Sequence, residues 1–385
     1  MSHELPPHWP ANKIALEKPT GEAGGLPADA YWSADFLALE NERLFARNWI
    51  CIGLVEDAPA PGSLHPVMAA GKALILARDL AGKLRVFHNF CRHRGMRLVD
   101  ASSANAKAII CPYHAWSYGL DGALLKTPHV AGIDRHDRAA LPRTLPGLAP
   151  VRHAIWGPLI FADLSGVAPP FAEHMGPLMR RWAAYDFATL RRGATLNYEI
   201  ACNWKLVIEN FIDLYHVPYV HPGLNGYCAM KDHYLVHDND VFMGQGLNAY
   251  APEDDAVGAL PAFPGAPPGA ASFMDAFGVF PNLCMTLFHD NLRVIIVEPD
   301  GPTRTRERVE VFFVGHGATD PAFRDARAVL VERFGAFNVE DIGVVEKLQR
   351  SHESSAFDGG HFTPVLDGAV HRFHRLVAAA VDASP

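Results

Sequence analysis

The chain is poor in cysteine and has no long apolar run. Its 385 residues include six irregularly spaced cysteines, too few and too scattered for a disulfide framework. They are Cys51, Cys91, Cys111, Cys202, Cys228 and Cys284. No segment approaches the roughly 20 apolar residues of a membrane-spanning helix, and the N-terminus lacks the basic start and apolar core of a secretory signal. We therefore expect a globular cytoplasmic protein without membrane attachment.

Basic runs and nucleotide-binding motifs are also absent. The net charge is −8 and the charges are interspersed, so nucleic acid is not an expected partner. Gly244-Gln-Gly246 has no third glycine and no strand-to-helix setting, which excludes a dinucleotide fingerprint. The four-cysteine run of plant-type ferredoxins is missing too.

The length allows two domains, and the texture of the sequence changes twice. We predict an N-terminal segment over 1–45 that packs on the second domain, a small antiparallel β domain over 46–165, and an α+β domain over 166–385. In the β domain, short β-like runs alternate with turn residues. They cover 49–55, 73–77, 84–90, 109–111 and 158–162.

The α+β domain is predicted to pack a helix on an antiparallel sheet. The predicted helices cover 34–45 in the N-terminal segment, then 171–185, 203–216, 321–349 and 370–381. The predicted strands cover 194–200, 279–288, 292–298 and 308–314. A Gly/Pro/Ala-rich stretch over 258–271 is either a mobile lid or a long connection.

Two Cys–His pairs form the first metal-ligand group. Cys91-Arg-His93 is followed downstream by Cys111-Pro-Tyr-His114, so each turn presents one thiolate and one imidazole. Structural zinc also uses two Cys and two His, but it usually pairs Cys with Cys and His with His along the chain. The alternating order favours a [2Fe–2S] cluster in which one iron takes both cysteines and the other takes both histidines, which raises the reduction potential.

The second group lies between 203 and 222. Glu209, Asp213 and His216 are spaced at i, i+4 and i+7, which is one face of a helix, and buried carboxylates need a metal or an imidazole as partner. Pro218 is expected to end the helix close to His216, so that His221 returns beside it. Two histidines and one carboxylate on one side of a cation are typical of ferrous oxygenases. Zinc hydrolases use similar ligands, and spacing does not decide which carboxylate binds, although Asp213 is nearest to His216.

Both groups together resemble the Rieske-type oxygenases, specifically the large (alpha) subunit of the aromatic-ring-hydroxylating oxygenases. The resemblance covers about 49–163 for the cluster domain and about 190–375 for the catalytic domain. It implies a helix-grip fold in the second domain. Cys91 and Cys111 would bind one iron of the cluster, and His93 and His114 would bind the solvent-facing iron.

The same resemblance changes the carboxylate assignment in the mononuclear iron site. It implies that His216, His221 and Asp341 bind the iron, with Glu340 and Glu346 as alternatives to Asp341. Asp213 would instead bridge His216 to His93 or His114 of a neighbouring subunit and carry electrons between the two metal sites. Such a bridge requires an oligomer, expected to be a homotrimer, alone or with a small β subunit.

The resemblance also implies a reaction. Electrons from NAD(P)H would arrive through a separate reductase, with or without a ferredoxin, and the iron would activate O2 beside a small organic substrate. The expected pocket residues are Asn210, Phe211, Val217 and Phe337, with Phe280 or Phe288 from the sheet.

Two further features of the sequence bear on the substrate class. The segment from Gly368 to His374 is similar to oxygenases that remove N-methyl groups from quaternary amines, whereas Asp213 stands where several of those enzymes have Glu. We expect mono- or dioxygenation of an aromatic compound, with oxidative N-demethylation of a quaternary ammonium compound as the alternative. From other classes, a Rieske electron carrier without oxygenase activity and a zinc-stabilised binding protein stay open.

Overall fold

The computed structural model describes residues 4–142, 145–226, 229–251, 260–354 and 356–383. It divides into two compact units, one formed by Ala46–Ala168 and the other by Met1–Phe45 with Pro169–Pro385. The predicted domains 1–45, 46–165 and 166–385 are not tested by this division into units, and they remain a prediction. No helix in the described ranges is both long and apolar enough to cross a bilayer.

The unit Ala46–Ala168 contains three antiparallel sheets of three strands each, ordered β1-β9-β8, β2-β3-β4 and β5-β6-β7. Its strands are β1 Ile50–Leu54, β2 Leu64–Ala69, β3 Lys72–Arg78, β4 Leu84–His88, β5 Ile109–Ile110, β6 Ser117–Tyr118, β7 Leu124–Lys126, β8 Arg152–Trp156 and β9 Leu159–Asp163. The Asp79 carboxylate accepts backbone N–H groups from Ala81 and Lys83, which fixes the turn between β3 and β4. The unit's core includes Ile75, Phe87, Cys91, Cys111 and Tyr118, so both cysteines are held by packed apolar side chains.

The second unit is built on a seven-stranded antiparallel sheet ordered β10-β16-β15-β14-β13-β12-β11. Its strands are β10 Leu190–Ile200, β11 His233–Val236, β12 Phe242–Leu247, β13 Met274–Val279, β14 Leu283–Leu287, β15 Asn291–Pro299 and β16 Thr305–Val314. Helices α1 to α3 span Trp9–Leu16, Asp29–Trp32 and Ala34–Leu39, and a π-helical turn covers Glu40–Phe45. Helices α4 to α9 span Phe171–His174, Gly176–Arg181, Trp204–Ile212, Val217–Val220, Arg324–His352 and Gly368–Asp382.

Helix α6 is packed on the sheet and against α8 and α9. Its apolar residues Leu206, Val207, Ile208 and Ile212 are buried, and Asn203 caps its first turn by accepting the N–H of Lys205. The long helix α8 runs along the sheet at β10. The predicted combination of an antiparallel β domain and an α+β helix-grip domain is therefore confirmed.

Several element boundaries differ from the prediction. The helix predicted over 203–216 ends at Ile212, and Pro218 does not end it but lies in the first turn of α7. The strand predicted over 279–288 is instead the last residue of β13, a turn and β14. The helix predicted over 171–185 is two short helices.

The predicted lid or connection over 258–271 is described only in part, because residues 258 and 259 lie outside the described ranges. Its remainder leads into β13, with Leu260 and Phe263 buried. Cys228 lies outside the described ranges as well, and the other five cysteines are buried and form no disulfide with one another.

Candidate metal centres and substrate pocket

Two loops with the same hydrogen-bond pattern carry the first group. In one, Cys91 donates its N–H to Met96 and accepts from Gly95; in the other, Cys111 donates to Trp116 and accepts from Ala115. Gly95 and Ala115 both have positive φ, at 76° and 56°, because each loop turns sharply after its histidine. The Cys–His spacing in the sequence therefore becomes two matching turns.

Burial separates the thiols from the imidazoles. Cys91 and Cys111 are 1% and 3% exposed, whereas His93 and His114 lie at the surface with ring centroids 4.8 Å apart. His93 also stacks on Trp116 at 4.8 Å. An inner pair of thiolates and an outer pair of imidazoles is the donor arrangement that a Rieske cluster requires.

Tyr118 supports the inner end of this site. Its hydroxyl lies 3.2 Å from the Cys91 Sγ and accepts the Arg92 N–H at 2.9 Å. Burial raises the pKa of the Cys91 thiol in the metal-free chain, and a bound metal would hold it as thiolate. Hydrogen bonds to cluster sulfur tune the reduction potential.

In the second group, Asp213 lies just beyond α6 in extended conformation. Its carboxylate accepts the backbone N–H groups of Tyr215 and His216 at 2.7 and 3.1 Å. These bonds offer the backbone an alternative to further helix, which explains why α6 ends early. The same carboxylate lies 2.9 Å from the His216 Nδ1.

The two iron-site histidines converge on Asp341 of α8. Its Oδ1 lies 3.5 Å from the His216 Nε2 and 2.9 Å from the His221 Nε2. Two ligands that are each roughly 2.1 Å from a shared ion lie about 3 Å apart, so the three side chains fit one metal ion. Both Nδ1 atoms contact carboxylates, Asp213 for His216 and Glu340 at 2.6 Å for His221, an arrangement that orients metal-binding imidazoles.

The electrostatics of the site favour a cation. Burial alone would lower the pKa of His216, but hydrogen bonds to Asp213 and Asp341 outweigh it and raise that pKa to about 9. Burial alone would raise the pKa of Asp341, but hydrogen bonds from His216 and His221 hold it well below its usual range. In the metal-free chain, protons on the imidazoles therefore take the place of the metal.

The other acidic residues that were candidates for the iron ligand have different partners. Glu340 contacts the outer nitrogen of His221 rather than the shared centre. Glu346 accepts the backbone N–H of Ala201. Glu209 accepts the Tyr31 hydroxyl and lies 3.0 Å from the His374 Nε2, so the predicted shared helix face of Glu209, Asp213 and His216 is not formed. The assignment of Asp341 remains a proposal, now supported by geometry.

A pocket opens beside these three ligand candidates. Its floor is a row of directly paired residues across four strands: Gln245, Ala276, Thr286 and Arg293. Side chains paired in this way lie on one face of a sheet. Helix α8 supplies Arg333, Phe334, Phe337 and Asp341, which recur at helical spacing.

Five of the six expected pocket residues line this pocket: Asn210, Phe211, Val217, Phe288 and Phe337. Phe280 is buried against Phe373 of α9 instead. Sequence reasoning missed Arg293, Arg333, Gln245 and Tyr250, which also line it. An arginine within the otherwise apolar run of β15 was the available signal for Arg293.

Comparison with known proteins decides the family. Residues 187–383 match the ring hydroxylating alpha subunit (catalytic domain) family, and residues 48–137 match the Rieske [2Fe-2S] domain. The chain belongs to the Rieske-type ring-hydroxylating oxygenase alpha subunits. It is a Rieske non-haem iron mono- or dioxygenase whose cofactors are a [2Fe–2S] cluster and a mononuclear iron, with O2 as co-substrate. The predicted family, enzyme class and cofactors are confirmed, and a Rieske electron carrier or a zinc-stabilised binding protein is excluded.

Three relatives differ in their named substrates. The chloroplastic choline monooxygenase of Arabidopsis thaliana is 26% identical over 95% of this chain and 84% of its own. The glycine betaine monooxygenase oxygenase subunit of Chromohalobacter salexigens is 34% identical over 52% of this chain and 43% of its own. The salicylate 5-hydroxylase large oxygenase component of a Ralstonia species is 33% identical over 57% of this chain and 50% of its own.

A solved structure shares the fold over the whole chain. The quaternary ammonium Rieske monooxygenase CntA in complex with L-carnitine has a TM-score of 0.76 and 21% identity, covering 99% of this chain and all of that one.

Proposed function

We propose that the protein is the oxygenase component of a monooxygenase that oxidises a small quaternary ammonium compound. The observation that carries the proposal is the convergence of His216, His221 and Asp341 at the wall of an aromatic-lined pocket. A ferrous ion bound there would supply O2 activation, with one oxygen atom going to the substrate and the other, with two electrons and two protons, to water.

The substrate class rests on the relatives and on the pocket lining. A relative that matches nearly the whole chain is named for choline, and glycine betaine is also a quaternary ammonium compound. Rings of Tyr250, Phe288, Phe334 and Phe337 line the pocket, and aromatic faces attract quaternary ammonium groups. These observations favour the alternative reading of the sequence over an aromatic substrate.

Hydroxylation of an aromatic compound is the second candidate. The salicylate 5-hydroxylase component matches more than half of this chain at 33% identity, and the same aromatic lining would accommodate a flat ring. Chemistry at the iron site would be the same in both cases, so the pocket decides between them.

The electron path is proposed as follows. A separate reductase, with or without a ferredoxin, passes electrons from NAD(P)H to the cluster held by Cys91, His93, Cys111 and His114. Asp213 orients His216 through Nδ1 and links it to a cluster histidine of a neighbouring subunit. The assembly is a homotrimer, alone or with a small β subunit.

Substrate-dependent oxygen uptake tests the proposed function. The iron-loaded enzyme is supplied with a reductase and NADH, and choline, glycine betaine, salicylate and naphthalene are compared, with products identified by mass spectrometry. We expect oxidation of at least one ammonium compound. Turnover of the aromatic compounds alone would replace the proposal with its second candidate.

A further inference from the structure

Resting on the proposed function, we infer that the substrate carries a carboxylate, and that the Arg293 guanidinium binds it on the floor of the pocket beside His216, His221 and Asp341. This inference narrows the substrate class: it favours a zwitterionic betaine over a simple ammonium alcohol, and an aromatic acid over an uncharged aromatic.

Arg293 has unused hydrogen-bonding capacity where it stands. Its Nη2 donates to the Thr286 hydroxyl at 3.2 Å, while its buried Nε has no hydrogen-bond partner in the described part of the chain. Its Cζ lies 5.6 Å from the Phe211 ring centroid and 5.1 Å from that of Phe334. Two rings therefore pack near a guanidinium whose fork geometry suits a carboxylate.

The charged groups that line the pocket favour a ligand with an anionic group. Among the described residues that line the pocket, the charged side chains that face the proposed iron site are the Arg293 guanidinium and one carboxylate, Asp341. A ferrous ion bound by Asp341 would add two positive charges, and Asp213 and Glu340 lie behind the imidazoles on their Nδ1 atoms. Since Asp213 and Glu340 are not part of the lining, the ferrous ion and Arg293 would together outweigh the one lining carboxylate, and buried charge without a counter-charge is costly. The loaded pocket therefore favours an anionic group beside Arg293.

A purely structural role for Arg293 would require a carboxylate partner inside the protein. Two carboxylates act on Arg293 electrostatically, Asp341 more strongly than the buried Glu307. Asp341 is the proposed iron ligand, which leaves Glu307 as the candidate. However, Glu307 accepts the Asn338 amide at 2.8 Å, and burial raises its pKa to about 7. Arg293 forms no ion pair with any carboxylate among the described residues, so its charge is available to a ligand.

Matched pairs of ligands test the inference without any mutation. Binding to the iron-loaded enzyme is measured calorimetrically for glycine betaine against choline, and for benzoate against benzyl alcohol, since each pair exchanges a carboxylate for an alcohol. We expect the carboxylate to bind at least about tenfold more tightly in the pair that the enzyme oxidises. Equal affinities within that pair would overturn the inference, whereas oxidation of choline would leave the proposed function intact.

Variants then assign the contact to Arg293. Arg293→Gln should weaken carboxylate binding at least about tenfold and leave alcohol binding unchanged, and Arg293→Lys should restore part of the loss. Arg304→Gln is the matched control, because Arg304 is exposed and pairs with Asp300. If Arg293→Gln loses the same binding affinity for the acid as for the alcohol, Arg293 has only a packing role and the inference is overturned. If the wild type oxidises benzoate but neither ammonium compound, and Arg293→Gln loses that activity, the contact between Arg293 and a carboxylate is supported. The proposal of an ammonium substrate is then refuted.

Discussion

Among the described residues, the Asp341 carboxylate is the charged group that both Nε2 atoms of the iron-site histidines face. Asp341→Asn should remove the mononuclear iron and lower turnover at least about 100-fold, while the visible spectrum of the cluster stays unchanged. Iron content should fall from about three to about two atoms per chain, since the cluster keeps two.

Glu346→Gln is the matched control on the same helix, because Glu346 accepts the Ala201 N–H instead. It should retain all of its iron. Full iron content in Asp341→Asn, or loss of iron in Glu346→Gln, would contradict the assignment of Asp341 as the iron ligand.

The high pKa of His216 has a consequence for metal loading. At neutral pH its imidazole is protonated in the metal-free chain, because its pKa is about 9, so iron must displace that proton. Ferrous affinity should therefore rise at least about tenfold per pH unit from pH 6 towards 9, because at least the His216 proton is displaced, and then level off. Chelator competition at several pH values measures this slope, and a flat profile between pH 6 and 8 would contradict it.

At the scale of elements, a buried ion pair fastens the N-terminal segment to α6. The Lys205 Nζ lies 2.6 Å from the Glu40 Oε1, and both side chains are completely buried. Lys205→Met should cost about 3–5 kcal/mol in the free energy of unfolding, because it leaves the Glu40 charge buried without its partner. The double change Lys205→Met with Glu40→Gln should recover much of that loss.

Denaturant unfolding of the wild type, Lys205→Met, Glu40→Gln and the double variant measures the coupling between the two side chains. Lys13→Met serves as the control, since the Lys13–Asp382 pair is partly exposed and should contribute roughly 1 kcal/mol or less. If Lys205→Met lowers the free energy of unfolding no more than the control does, the buried pair does not hold the N-terminal segment to α6.

The elements that sequence predicts well are those whose signals are local. The Cys–His turns follow from spacing alone, because four or five residues close each loop. The end of α6 depends on the Asp213 side chain, which can extend a helix face or cap the following backbone. Sequence spacing cannot choose between these roles, because the choice depends on where His216 must lie.

Pocket residues from the sheet depend on strand register, which is not local. Arg293 joins the pocket because β15 pairs it with Thr286, which pairs in turn with Ala276 and Gln245. A shift of one residue would turn Arg293 to the other face. Strand β12 was not predicted at all, since Gly244 and Gly246 interrupt its apolar pattern.

At the scale of the whole molecule, the proposed electron path makes oligomerisation part of the chemistry. Asp213→Ala removes the contact to the His216 Nδ1 and the proposed link to a neighbouring cluster, yet leaves every proposed metal ligand in the chain. The variant should keep both metal centres and slow reoxidation of a pre-reduced cluster at least about tenfold. Stopped-flow absorption with substrate and O2 measures that rate, and unchanged reoxidation would mean that electrons bypass Asp213.

Subunit mixing tests the same path without altering the bridge. His93→Ala disables the cluster and His216→Ala disables the iron site, so each homo-oligomer should be inactive. If electrons cross between subunits of a cyclic assembly, random co-assembly of equal amounts should restore about a quarter of the wild-type rate, because half of the donors and half of the acceptors are functional. Transfer within one chain would leave the mixture inactive, since no single chain then carries both a working cluster and a working iron site.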